Sequence, residues 1–217
     1  MEVIYLDNHL LAVNKKAGIA TQAHDASNES LEEVAKKWIK EKYRKPGKVF
    51  LEPIHRIDRP VSGLVLFART SKALSRLQEA MREKQIHKTY YALVDGKLPS
   101  EEGTLEHYLV HDEFRARVVS STEKDAKLAR LHFKVLDTPS LVEIVLETGR
   151  YHQIRAQFAA IGCPIVGDRK YGSKTAWKKD EIALHHVRLE FPHPVNKENL
   201  ILKSPIQFRP QRIFLNA

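Results

Sequence analysis

Apolar residues in this chain recur at two spacings, and the switches between them lay out its elements. Two apolar stretches between Val3 and Val13 flank Asp7-Asn8, residues that tolerate a left-handed turn, and read as a hairpin. Ser30, with Glu33 three positions on, is a capping box, so a helix is expected to open there. Leu31, Val34, Ala35, Trp38 and Ile39 then share one face. The rest of that helix and its exit are basic (Lys36, Lys37, Lys40, Lys42, Arg44, Lys45), either a solvated helix end favoured by the macrodipole or a contact surface. Leu64 to Ala68 is a continuous apolar run, expected as a buried strand. Ser71 is expected to cap a second helix with Leu74, Leu77 and Met81 facing the core, and Tyr90 to Val94 to form a strand closed by Asp95-Gly96. From about Leu105 to Glu147 the pattern alternates: Leu131, Phe133, Val135, then Val142, Ile144, Leu146. That period belongs to antiparallel strands with one solvated face. A third helix is expected from about His152 to Ile161, stopping at Gly162, and Ala183 to Phe191 returns to strand. The order predicts an α+β fold, a mainly antiparallel or mixed sheet flanked by helices, and not the regular alternation of a doubly wound one.

Composition narrows the class. The 217 residues are 42% hydrophobic, enough for a packed core, which excludes intrinsic disorder. No run reaches the roughly 20 apolar residues of a membrane span, and the start, Met1-Glu2-Val3-Ile4-Tyr5-Leu6-Asp7, lacks a signal-peptide layout. A single cysteine, Cys163, excludes an internal disulfide framework and a cysteine-based zinc cluster. The expectation is one intracellular domain over residues 1–217 in two closely joined lobes. The 36 Lys and Arg against 27 Asp and Glu give +9, which suits a polyanionic partner such as nucleic acid. Phosphate-loop, dinucleotide, nucleophile-elbow and H-E-x-x-H signatures are absent. His107 with His111, and the pair His185-His186, lack a third ligand signal for a metal.

Three segments carry chemistry. In His55-Arg56-Ile57-Asp58-Arg59-Pro60-Val61-Ser62-Gly63 a lone carboxylate is flanked by two arginines just before the apolar strand. Guanidinium groups that close favour the ionised form, which suits a nucleophile or a general base. A structural ion pair at a strand entrance is the plain alternative. In Thr148-Gly149-Arg150-Tyr151-His152-Gln153-Ile154-Arg155, Gly149 is expected to open a helix whose first turns carry Arg150, His152, Gln153 and Arg155. Arg155, always charged, is able to pair with Asp58 across a cleft, and the helix start offers N–H groups to a phosphate; an ordinary basic helix face fits as well. In Lys88-Thr89-Tyr90-Tyr91-Ala92, Lys88, Tyr90 and Ala92 share one strand face, a basic face with an aromatic ring suited to a nucleobase, or simply core.

Taken together these segments resemble the RluA-type pseudouridine synthases over nearly the whole chain. Positions 55–68 are similar to the family's H-R-L-D-x-x-T-S-G-L-L-L-x-A block, positions 88–96 to its K-x-Y-x-A-x-V-x-G strand, and positions 148–155 to its T-G-R-x-H-Q-I-R block. Gly162 to Gly172 follows its G-x-P-I-x-G-D-x-x-Y-G, and Leu184-His185 with Leu189, Phe191, His193 and Pro194 its closing strand. Departures are Lys16 at the usual proline of an early N-K-P-x-G motif, Val61 at a usual threonine, and Ala156-Gln157 where Val-His is common. The resemblance implies isomerisation of specific uridines in structured RNA (ribosomal or transfer) to pseudouridine, by base flipping and without a cofactor. It puts the catalytic carboxylate on Asp58, the stacking tyrosine on Tyr90 and the partner arginine on Arg155, on a catalytic fold with a central cleft. RNA contacts are expected from His55, Arg56, Arg59, Lys88, Arg150, His152 and Gln153, with no separate N-terminal RNA-binding domain. A non-catalytic RNA-binding module and a nucleosidase acting on free nucleosides are the competing classes.

Overall fold

The structure, a computed structural model, describes residues 1–23, 29–136 and 140–206. It is an α+β fold divided into two compact units, the first formed by Met1–Lys88 and His186–Pro205, the second built on Thr89–His185.

In the first unit, β1 (Glu2–Leu6) pairs antiparallel with β2 (Leu10–Lys15), and β2 with β4 (Ser62–Ala68). The strand order is β1-β2-β4-β10, where β10 is Leu184–Pro192. Every residue of β2 and β4 is buried, as a continuous apolar run requires. A two-residue strand, β3 (Glu52–Pro53), flanks β4, and β11 (Asn199–Lys203) pairs with β10. Both were invisible in the sequence, β3 being too short to show a period and β11 lying at an edge.

Helix α1 (Leu31–Lys42) begins where expected: Ser30 Oγ accepts from the Glu33 N–H, and the Glu33 carboxylate accepts from the Ser30 N–H at 2.9 Å. Helix α2 (Ser71–Arg82) is capped one residue earlier than expected, by Thr70, whose hydroxyl accepts from the Ala73 N–H at 3.1 Å. Its buried stripe also differs from expectation: Ala73, Leu77 and Ala80 pack into the core, with Leu74 and Met81 only partly covered. The Asp7-Asn8 turn also differs from expectation. Neither residue takes a positive φ; instead Asp7 Oδ1 accepts from the His9 and Leu10 N–H groups, both at 2.7 Å, and the side chain itself closes the turn.

In the second unit the order is β5-β9-β8-β6-β7: β5 (His87–Leu93), β9 (Leu141–Leu146), β8 (Lys127–Val135), β6 (Glu102–Asp112) and β7 (Arg115–Val119). The division between units falls within β5 and within β10. Strands β6, β7, β8 and β9 are antiparallel, and Ala129, Leu131 and Phe133 of β8 alternate inward against exposed Lys127, His132 and Lys134. Helix α3 (Gln153–Ala160) is shorter than expected and does not open at Gly149. His152 precedes it in the left-handed region (φ 49°) with its ring stacked on Tyr151, which blocks backward extension. Arg150 and His152 therefore stand on the turn before the helix. Among the described residues no helix is long and apolar enough to cross a membrane.

Gly63, the second residue of β4, lies opposite Lys15 of β2, at φ 116°. A Cβ there would stand 2.5 Å from the His186 backbone nitrogen and closer still to its carbonyl oxygen, atoms that cannot give way. Gly63→Ala is expected to lower the unfolding free energy by about 3 kcal/mol or more, measured by urea denaturation; a loss below about 1 kcal/mol would show that this approach is not a constraint.

Candidate active site

The candidate residues fall in both units and are described unit by unit. In the first, the β2–β4 pairing sets the end of β2 beside the entry to β4, and three ties hold the loop between them. Thr21 Oγ1 donates to Ile57 O at 3.0 Å and accepts from the Ile57 N–H; the Gly18 N–H donates to Arg59 O at 2.8 Å; Arg59 Nε donates back to Gly18 O at 2.8 Å. Lys15, whose side chain is fully buried, adds a fourth: its ammonium donates to the carbonyls of Lys16 (3.1 Å), Ile19 (2.7 Å) and Arg59 (3.2 Å). Burial pushes the Lys15 pKa down to about 7 against the opposing pull of the Asp58 carboxylate, with Arg59 adding to the lowering. Asp58 is half-buried on this anchored loop, its carbonyl accepting from the Val61 N–H at 3.0 Å.

Of the residues around it, Arg56 and Arg59 are exposed, Lys88 is half-buried and His55 is buried. His55 Nε2 accepts from the Leu66 N–H at 3.3 Å, and its ring meets that of His186 edge-on at 5.1 Å. Burial, with His186 and Lys88 nearby, keeps its pKa well below the ordinary imidazole value. The structure thus gives His55 a packing position beneath the loop, away from solvent.

In the second unit, Arg155 of α3 is the centre of a buried network. Its Nε and Nη2 donate to the two carboxylate oxygens of Asp168 at 2.6 and 2.9 Å, a bidentate pair in which Arg155 is 4% and Asp168 2% exposed. Its guanidinium carbon lies 5.0 Å from the centre of the Tyr171 ring. Its Nη1 donates to His152 Nε2 at 2.9 Å. An acceptor at Nε2 fixes the tautomer: the His152 proton sits on Nδ1 and is donated to the Tyr171 hydroxyl, 2.9 Å away. That hydroxyl also accepts from the Ala116 N–H at 2.7 Å. Burial and the neighbouring charges of Arg155 and Lys170 hold the His152 pKa down to about 3. Gln153 is buried: its Oε1 accepts from Thr148 Oγ1 (2.8 Å) and the Arg150 N–H (2.9 Å), and its Nε2 donates to Arg130 O (3.1 Å). The turn's N–H groups are thus partly used internally, which weakens the phosphate-cradle expectation. Arg150 is exposed and its Nε donates to Leu128 O. Tyr90, on β5, is buried.

Sequence reasoning missed Lys15, Thr21, Asp168 and Tyr171. The signals existed: Lys15 stands in the Asn14-Lys15…Gly18 string, and Asp168 and Tyr171 in the Gly167-Asp168…Tyr171-Gly172 string. No group of three or more His, Cys, Asp or Glu able to hold a metal occurs among the described residues.

The family described as RNA pseudouridylate synthase matches residues 9–160 of the chain. "Uncharacterized RNA pseudouridine synthase YhcT" of Bacillus subtilis is 33% identical over 215 residues, covering 94% of this chain and 68% of its own length. A tRNA pseudouridine synthase C of Vibrio parahaemolyticus is 30% identical, covering 99% of this chain and 94% of its own. A ribosomal large subunit pseudouridine synthase C of Buchnera aphidicola is 32% identical, with 99% and 70% covered. The solved structure of human RNA pseudouridylate synthase domain containing 4 superposes with a TM-score of 0.78 at 22% identity, over 94% of this chain and 88% of that one, and shares the fold.

Two measurements test the second-unit network. Asp168→Asn is expected to cost about 3–5 kcal/mol of stability in urea denaturation, because it breaks a buried ion pair from one side; a change under about 1 kcal/mol would mean the pair carries no such weight. His152 sets an acid limit. Its unfolded imidazole takes a proton near pH 6.5 and its folded one only near 3, so stability falls as the pH drops through that window. Urea midpoints between pH 7 and 4 should decline, less steeply in His152→Gln; equal slopes would refute the neutral assignment.

Proposed function

The chain belongs to the RNA pseudouridylate synthase family, and from that premise we propose that it isomerises specific uridines of structured ribosomal or transfer RNA to pseudouridine. What carries the reading is the family match over residues 9–160, together with relatives that are named for the two RNA classes and align along 99% of the chain. In this reaction the bond from the ribose C1′ to uracil N1 breaks and one from C1′ to C5 forms. The C5 proton leaves and N1 ends protonated, so atoms balance without an added reactant.

Asp58 serves as the catalytic carboxylate. The uracil stays bound and returns, so no water has to be activated, and the second, raised-pKa carboxylic acid of a typical glycosidase has no task. Tyr90 stacks on the target base and takes part in the proton transfers, and Arg155 orients the carboxylate. Support for these roles comes from the matching positions of the three motifs, and for Asp58 also from the four ties that hold its loop. A uridine in a helix or stacked loop must be turned out of the stack, at a cost of a few kcal/mol; exposed Arg56 fills the gap it leaves, while Arg59 and Arg150 hold flanking phosphates. A monomer in the cytoplasm, with no cofactor, completes the reading.

The test is carbodiimide labelling followed by reverse transcription on RNA incubated with the protein. Wild-type protein is expected to create new stops at specific uridines, and Asp58→Ala to create none while its RNA affinity stays within about threefold, because binding rests on many phosphate contacts. Normal turnover by Asp58→Ala overturns the assignment. Retained binding without any stops in the wild type points to a binding module, and free uracil in the supernatant to a nucleosidase.

A further inference from the structure

The first unit carries 20 Lys and Arg against 13 Asp and Glu, seven of the chain's nine excess positive charges. Along α1 that charge is at first answered: Lys36 pairs with Glu32, and Lys37 with Glu29 at 2.6 Å. From the last turn onward it is not. Lys40, Arg44, Lys45 and Lys48 are exposed, and among the described residues none has a carboxylate oxygen within 4.0 Å. Two large rings share the same short stretch, Tyr43 at 45% and Phe50 at 41% exposure. The Arg69 guanidinium lies over the Tyr43 ring at 4.8 Å.

The helix exit is a defined turn. Tyr43 N–H donates to Ile39 O (3.1 Å), Arg44 N–H to Glu41 O (3.2 Å) and Lys45 N–H to Lys40 O (3.0 Å), with Arg44 at φ 47°. The macrodipole explains Lys40 and Lys42, which sit in the last turn. Its influence fades within one turn, so it gives no account of Lys45 and Lys48. Four cations without a carboxylate partner repel one another, and the two half-exposed aromatic rings beside them leave apolar surface in water. Cations spaced along a strand of chain with rings between them match unpaired RNA, whose phosphates need the first and whose bases need the second.

We propose that residues 40–50 form a docking surface for RNA flanking the modified uridine, with Lys40, Arg44, Lys45 and Lys48 on phosphates and Tyr43 and Phe50 stacked on unpaired bases. It rests on the RNA reading above and adds to it a place and a mode of binding. Because phosphate contacts carry no sequence information, a fluorescein-labelled mixed-sequence RNA hairpin with unpaired flanks serves as the probe, titrated by anisotropy in 50–200 mM salt with the full chain. The slope of log affinity against log salt should shrink by about 3 in Lys40→Gln/Arg44→Gln/Lys45→Gln/Lys48→Gln, at about 0.7–0.9 for each phosphate no longer neutralised. Tyr43→Ala/Phe50→Ala should weaken binding about tenfold or more with the slope unchanged. Lys124→Gln/Lys127→Gln, exposed cations of the second unit, should leave both close to wild type. A wild-type slope in the quadruple variant, an equal loss per charge in the control, or capture of poly-glutamate by the same cations without any change for RNA overturns the proposal. Wild-type protein that binds the hairpin but yields no pseudouridine in the labelling assay would sink the activity reading and leave this result standing.

Discussion

A guanidinium with almost no access to water must be answered by charge and hydrogen bonds, and at Arg155 the answer is Asp168. The penalty for burying either ion alone is several kcal/mol, so the bidentate pair fixes both side chains and everything that touches them. His152 and Tyr171 follow from it. With one ring nitrogen accepting from Arg155, His152 has a single proton, and that proton meets the Tyr171 hydroxyl. The Tyr171 hydroxyl in turn engages the Ala116 N–H on β7. A chain of donors and acceptors thus runs from α3 to the sheet with each partner's role set by the last. Asp168, His152 and Tyr171 all hold Arg155, the residue proposed to serve the carboxylate.

The first unit solves a parallel problem around Asp58 by different means. Its loop has no regular structure between β3 and β4, yet its backbone is tied to residues 15–21 by Lys15, Gly18 and Thr21. A buried lysine that donates to three carbonyls spends its charge on holding the backbone. Loops that carry reacting groups work best when their backbone is fixed by the scaffold.

The parts legible in the sequence were those governed by local rules. The capping box at Ser30 and the buried run of β4 stand where read, because each depends on a few neighbouring residues. Errors came where one local interaction displaced another that the pattern made equally available. Thr70 displaced Ser71 as a cap, Asp7 closed a turn with its side chain, and the stacked His152 shortened α3. Among candidate residues, Arg56, Arg59 and Arg150 lie exposed, whereas His55 and Gln153 are buried and bonded within the protein. A polar side chain in a functional motif reads the same from sequence whether it faces a substrate or props up the backbone. Asp168 escaped notice for a related reason: its partner is 13 positions away, and no periodicity couples them.

One tie bears on how the chain is made. His193 Nε2 meets the Asp7 carboxylate at 2.8 Å, joining the turn between β1 and β2 to a segment translated 186 residues later. Strand β10 likewise supplies the His186 backbone that crowds Gly63 and the Phe191 and Leu189 that complete the first unit's core. On the ribosome, residues 1–88 emerge without these partners, and the unit they belong to closes only after residues 186–205 have followed. Late closure of such long loops makes assembly slow relative to helical proteins of this size. A truncation that removes β10 and β11 would therefore strip residues 1–88 of the partners that complete their core, although nothing in that stretch had changed.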